Sequence, residues 1–156
     1  MMMNINITNQ NDIFVYFSLI NQLKVQKFID VGMFLKRIGS ISRQVKGLEL
    51  SPYLHMDAYD IFPETTPDIY STIYNNIYTS FDDITNRYQL AILLRLDNII
   101  DLKTKIDLWI KAMDCSDYIL ADYESVKYFL DNGVPLNITP ISVDNMNYAL
   151  IKNINN

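Results

Sequence analysis

The residues that could do chemistry in this sequence are Asp30, Gly32 and Glu49, with the pair Asp82-Asp83 further along. Asp30 closes an apolar run, Gly32 follows, a helical pattern comes next, and a second apolar run ends in Glu49. That is the order of a nucleotide-binding βαβ unit. Its chemistry is close approach, since a glycine lets backbone N–H groups and the start of a helix reach a phosphate or cofactor. Against it stands the glycine supply. The chain has only 4, and Gly32 is followed by Met33, Phe34 and Leu35, whose bulk would crowd the place a ligand needs.

Other chemistries find less support. The single Cys115 excludes an internal disulfide framework and a multi-cysteine zinc site. His55 has no second histidine to share a metal with, and no metal site is expected. Net charge is −5, and none of the 13 basic residues forms a long run, so bulk nucleic-acid binding is not expected. No apolar run approaches the ~20 residues that span a bilayer. The start, MMMNINITNQND, lacks the basic and apolar segments of a signal peptide, which makes the cytoplasm the expected location.

These residues need elements to position them. At 156 residues with 49% hydrophobic content, one domain over residues 1–156 is expected. Asn9, Asn11 or Asp12 can cap a first helix over about 9–25, with Ile13, Phe14, Phe17, Leu19, Ile20 and Leu23 on its apolar face. KFIDV (27–31) and GLEL (47–50) read as strands around a helix from Met33 to Val45, and residues 51–71, with three prolines, as an irregular flap. TIYNNIYT (72–79) follows as a strand. QLAILL (89–94), almost wholly apolar, fits a central parallel strand buried on both faces. A helix after Asp101, a strand over 116–121 and a helix over 124–132 ended by Gly133 come next. Two strands, 138–143 and 147–151, form a terminal hairpin. Alternation of this kind gives an α/β fold: a mostly parallel, doubly wound sheet with helices on both faces and a C-terminal antiparallel hairpin.

From Lys27 to Ile151 this layout resembles the class I S-adenosylmethionine (SAM)-dependent methyltransferases, a Rossmann-like family. Asp30-Val31-Gly32 stands where that family has its acidic residue and glycines. The resemblance implies SAM as cofactor, with Asp30 and Gly32 shaping the methionine end. It implies Glu49, 17 residues after Gly32 and so near the ~20 of dinucleotide-binding sequences, as the ribose ligand. Asp82 or Asp83 matches the residue that accepts from the adenine amino group. MDAYDIFP (56–63) looks like that same motif, but it follows Glu49 too closely for a helix and strand to fit between them. Arg95-Leu96-Asp97-Asn98 falls at the carboxyl edge, where open α/β sheets bind ligands. The Asn/Asp-Pro-Pro-aromatic tetrad of amino-group methyltransferases is absent.

Each residue has a plainer reading too. Asp30 can cap the following helix, Glu49 can be a solvated strand end, and Asp82-Asp83 can be a turn or N-cap pair. Two functions follow. The first is a small SAM-dependent methyltransferase acting on an unnamed small-molecule or protein acceptor. The second is a catalytically inactive, methyltransferase-like binding or partner module, whose acidic, Tyr-rich surface suits a homodimer or a partner enzyme. A nicotinamide-dependent dehydrogenase is weaker, since only Gly32 and Gly39 offer themselves for its three-glycine motif.

Overall fold

Residues 90–94 show how the sheet is buried. Leu90, Ile92 and Leu94 belong to one apolar cluster, while Ala91 and Leu93 belong to another on the opposite face. In this computed structural model, which describes residues 7–38 and 54–153, they fall in and just beyond β4. The strands are β1 (Lys27–Val31), β2 (His55–Tyr59), β3 (Asn76–Tyr78), β4 (Tyr88–Leu93), β5 (Ser116–Asp122), β6 (Asn137–Val143) and β7 (Met146–Lys152). They form one seven-stranded sheet in the order β3-β2-β1-β4-β5-β7-β6. The first five are parallel; β7 runs antiparallel to β5, and β6 antiparallel to β7.

Helices α1 (Ile7–Gln22) and α2 (Phe34–Arg37) cover one face through Tyr16, Phe17, Ile20, Phe34 and Leu35. Helices α3 (Leu102–Cys115) and α4 (Tyr123–Asp131) cover the other through Leu108, Trp109, Ala112 and Val126. The expected α/β sheet with helices on both faces is therefore present. Local signals act as their chemistry dictates. The Asp101 carboxylate accepts the Thr104 N–H at 2.8 Å and caps α3. After α4, Gly133 at φ +79° closes a Schellman turn, with Val134 N–H donating to Phe129 O and Gly133 N–H to Leu130 O. Asp144 and Asn145, both at positive φ, make a two-residue hairpin turn whose twist suits the flanking strands.

Several expectations need correction. The strand beside β1 is HMDAY, residues 55–59, inside the stretch read as a flap, whose remainder from Pro63 to Thr72 holds two short 3-10 turns. MDAYDIFP is thus strand and strand end. The strand expected at 47–50, with Glu49, lies outside the described residues, as does most of the helix expected over 33–45. The strand expected over 72–79 shortens to Asn76–Tyr78, since Ile73 and Tyr74 turn into the core. Helix α1 starts at Ile7, so Asn9, Asn11 and Asp12 lie within it rather than at its cap. Phe14, expected on its buried face, is 60% exposed.

Asp12 has other work. It is fully buried and accepts from Arg95 Nε at 2.9 Å and Nη2 at 3.0 Å, and from the Tyr148 hydroxyl. Burial and the Asp12 carboxylate hold the Tyr148 phenol well above its usual pKa. Arg95 has φ +55°, and its own N–H donates to Asp122 Oδ1 at 2.9 Å. Through its guanidinium and its backbone N–H, Arg95 thereby ties α1, the segment after β4 and the end of β5 together. Replacing Arg95 by Met should cost about 3–5 kcal/mol, because it strands a buried carboxylate. Asp12→Asn should cost about 1–2 kcal/mol, since the Arg95 side chain is 30% exposed and can turn to water. Urea unfolding of the two variants checks the order; equal losses would mean that the carboxylate is not the costly partner.

Candidate functional site

The sheet reverses its direction of growth between β1 and β4, and the crevice outside the carboxyl ends of two such strands is where this architecture binds ligands. Gly32 follows β1 at φ +85° and donates its N–H to Tyr59 O at 2.8 Å. A side chain there would be strained, and there is no room for one. A Cβ would stand 2.5 Å from Leu96 Cδ2 and 3.3 Å from Ile61 Cδ1. The open space of a glycine turn is occupied by this chain's own Leu96 and Ile61.

Arg37 completes the closure. Its Nε donates to Gly32 O at 2.9 Å, Nη1 to Arg95 O at 2.9 Å and Nη2 to Leu94 O at 2.7 Å. The guanidinium thus bridges the carboxyl end of β1 to that of β4. Burial pulls its pKa below the ordinary value, with the Asp30 charge acting against that. The expected obstruction, Met33-Phe34-Leu35, is not the obstruction found. All three are fully buried in the α1–α2 core, and Phe34 stacks on Tyr16 at 5.7 Å.

The strand-end carboxylates are also engaged. Asp30 is fully buried on the α1 side of the sheet. It accepts from Phe34 N–H at 2.9 Å, Tyr74 OH at 2.5 Å and Tyr16 OH at 3.2 Å. Its bond to the first turn of α2 matches the plainer reading of this residue. Burial raises the Asp30 pKa, against the lowering effects of Tyr74, Phe34 and Arg37. Asp60, at the end of β2 and singled out by no sequence signal beyond MDAYDIFP, is 3% exposed. It accepts from Lys36 Nζ at 3.1 Å, from Phe62 N–H at 3.1 Å and from the Thr66 hydroxyl.

Asp82 and Asp83 sit beyond β3 in a single exposed 3-10 turn, Phe81–Asp83. Phe81 of that turn stacks on Tyr59 at 4.7 Å. Asp30, Gly32 and Asp60 therefore share one end of the sheet with Arg37, while Asp82 and Asp83 face solvent. Further along that edge, a concavity of about 300 Å³ opens beyond β5, walled by Tyr123, Pro140, Ile141, Asn147 and Tyr148.

No protein-family model matches the sequence, and no curated protein matches it. Solved structures do match in fold. The methyltransferase domain of bacterial CtHen1-CN has a TM-score of 0.65 at 9% identity, over 92% of this chain and 98% of that one. The 16S rRNA methylase ArmA has a TM-score of 0.62 at 13% identity, over 96% and 88%. The pyocyanin biosynthetic protein PhzM has a TM-score of 0.60 at 11% identity, over 92% of this chain and 55% of that one. The fold is the Rossmann-like fold of class I SAM-dependent methyltransferases. Among the described residues, the groups at this crevice do not fit SAM as they stand. The glycine turn that should take its methionine end is filled by Leu96, Ile61 and Arg37, and the carboxylate closing β2 is held by Lys36 and Thr66.

Two substitutions test this packing. Gly32→Ala should destabilise the protein by about 1–3 kcal/mol, through positive φ and overpacking against Leu96, read as a lower urea midpoint. Asp30→Asn tests the buried charge. A carboxyl whose folded pKa is raised contributes stability that is complete below its ordinary value of 3.8 and is lost as pH rises through the folded pKa. Wild type should therefore lose stability relative to Asp30→Asn as pH rises above about 4. A difference that stays constant with pH would place the ionisation elsewhere.

Proposed function

We propose that this chain is a methyltransferase-fold binding module whose cofactor crevice is closed by its own side chains. The observation that carries the reading is the Arg37 guanidinium, which donates to the carbonyls of Gly32, Leu94 and Arg95 across the two strands that should frame the cofactor. A cofactor seated there would have to break all three bonds and displace Leu96 as well. Each buried carbonyl left without a donor costs about 1–3 kcal/mol, which the ligand would have to return. The concavity beside Tyr123 and Tyr148 is where a small ligand or partner segment finds aromatic walls and the Asn147 amide. An acidic chain of net charge −5 disfavours nucleic acid as that partner.

A second reading, a SAM-dependent methyltransferase with a small-molecule or protein acceptor, is favoured by one observation. Asp60 closes β2 and Asp82-Asp83 follow β3, the strand ends at which the resemblance expects carboxylates for ribose and for adenine. In that reading Lys36 releases Asp60, Arg37 leaves the crevice, and Asp30 and Gly32 shape the methionine end.

Thermal unfolding with SAM and with S-adenosylhomocysteine separates the two. Saturation at ~100 times Kd stabilises by ~2.7 kcal/mol, and ~2–4 °C per kcal/mol would show it plainly. The wild type should not shift with either ligand. A shift of several degrees would overturn the binding-module reading in favour of the enzyme. A shift confined to Arg37→Ala would mean that the guanidinium itself keeps the ligand out.

A further inference from the structure

The connection from β3 to β4, residues 79–87, contains one 3-10 turn and no α-helix, so the flank of α3 beside Phe81 has no helical neighbour there. A groove of about 330 Å³ remains, lined by Phe81, Asp107, Ile110, Lys111 and Asp114. Ile110 is 63% exposed at its rim. Four groove residues lie on α3, and with Lys103 they occupy the helix positions i, i+4, i+7, i+8 and i+11, one continuous face.

The charges on that face have an order. From the N-terminal end they run Lys103, Asp107, Lys111, Asp114, with Ile110 among them. Turned end for end the series reads minus, plus, minus, plus, so the face is complementary to itself. When Asp107 stands opposite the partner's Lys111, the twofold crosses α3 at the level of Trp109. When Lys103 stands opposite the partner's Asp114, it crosses between Leu108 and Trp109. The two conditions agree to within one residue, an axial rise of ~1.5 Å. A polyanion would meet Asp107 and Asp114, and an apolar segment would bury charges of both signs. A second copy, packed antiparallel, meets neither penalty.

We propose that the outer face of α3 and its groove form an isologous interface between two copies of this chain. Each Ile110 enters the partner's groove, between the partner's Asp107 and the partner's Lys111, as a ridge enters the space between i and i+4 residues. The charges at the rim fix the register. Lys103 and Asp107 already pair at 3.0 Å within one helix. That exposed pair is weak and exchanges readily for pairing across the twofold. The interface lies on α3, away from Arg37, and does not depend on whether the crevice takes a ligand.

Sedimentation equilibrium of the full chain between about 1 and about 100 µM reads the result directly, a range in which modest protein interfaces titrate. The wild type should be a dimer. Ile110→Arg should weaken it by about 100-fold, as loss of a central anchor does. Asp107→Lys, and separately Lys111→Asp, should weaken it by placing like charges opposite each other, and the double variant Asp107→Lys/Lys111→Asp should restore it. Far-ultraviolet circular dichroism confirms that each variant is folded; restoration in the double variant is a readout that mere misfolding cannot imitate. A monomeric wild type overturns the proposal, as does a dimer indifferent to Ile110→Arg or a double variant no stronger than the single ones.

Discussion

Three backbone carbonyls at the ends of two neighbouring strands would ordinarily look to solvent or to a ligand. Here Arg37 supplies their donors from the first turns of the helix that follows β1. The arrangement is possible only because Gly32 has positive φ and no Cβ, which lets Leu96 lie against the backbone. Satisfying buried backbone groups is obligatory, and a fixed planar fork does it for both strands at once. The switch point of the sheet is thereby a closed joint, and the rest of the carboxyl edge is organised around it.

The acidic residues of that edge follow one pattern. Asp30 receives two tyrosines and a helix N–H, Asp60 a lysine, a threonine and a backbone N–H, and Asp12 an arginine and a tyrosine. Asp122 takes the Arg95 N–H and the Ser125 hydroxyl, and that hydroxyl also reaches Asp97, which pairs with Lys105. Each buried carboxylate costs desolvation that its partners must offset. Such networks are strong when fully satisfied, and they leave these carboxylates little capacity for a ribose, whereas Asp82 and Asp83 beyond β3 stand exposed outside them.

The fold was legible where periodicity and local chemistry coincide. The apolar run ending at Leu94 marked the central strand, Asp101 the start of α3 and Gly133 the end of α4. The site was legible only in part. Asp30 and Gly32 were found from their place after an apolar run, but nothing in sequence spacing shows that a carboxylate faces Tyr16 and Tyr74 from distant segments. Asp60 was obscured because the second strand was sought at Glu49, and a five-residue strand with a central aspartate carries a weak alternation signal. Nothing in the sequence marked Arg37 for its role, and Asp12 was marked only as a candidate helix cap. Their roles depend on partners far along the chain, Leu94 and Arg95 for one and Arg95 and Tyr148 for the other.

Leaving out a helix between β3 and β4 requires the sheet beneath to tolerate partial exposure, and its side chains show how it does. Asp57 in β2 is fully buried and accepts from Tyr88 OH at 2.6 Å and Asn76 Nδ2 at 3.0 Å, so it reaches both β4 and β3. His55 Nε2 stands 2.7 Å from the same carboxylate, outside hydrogen-bonding direction. Lys27 Nζ lies 5.7 Å from the centre of the Tyr88 ring. Toward the carboxyl end, Phe81 and Ile84 supply the apolar cover in place of a helix, with Phe81 stacked on Tyr59. A polar network at one end and a single aromatic turn at the other close most of this face. The gap they leave runs along α3, and its only large exposed apolar group within the groove is Ile110. In the proposed dimer this flank, rather than the strand ends, would carry the contact between the two copies.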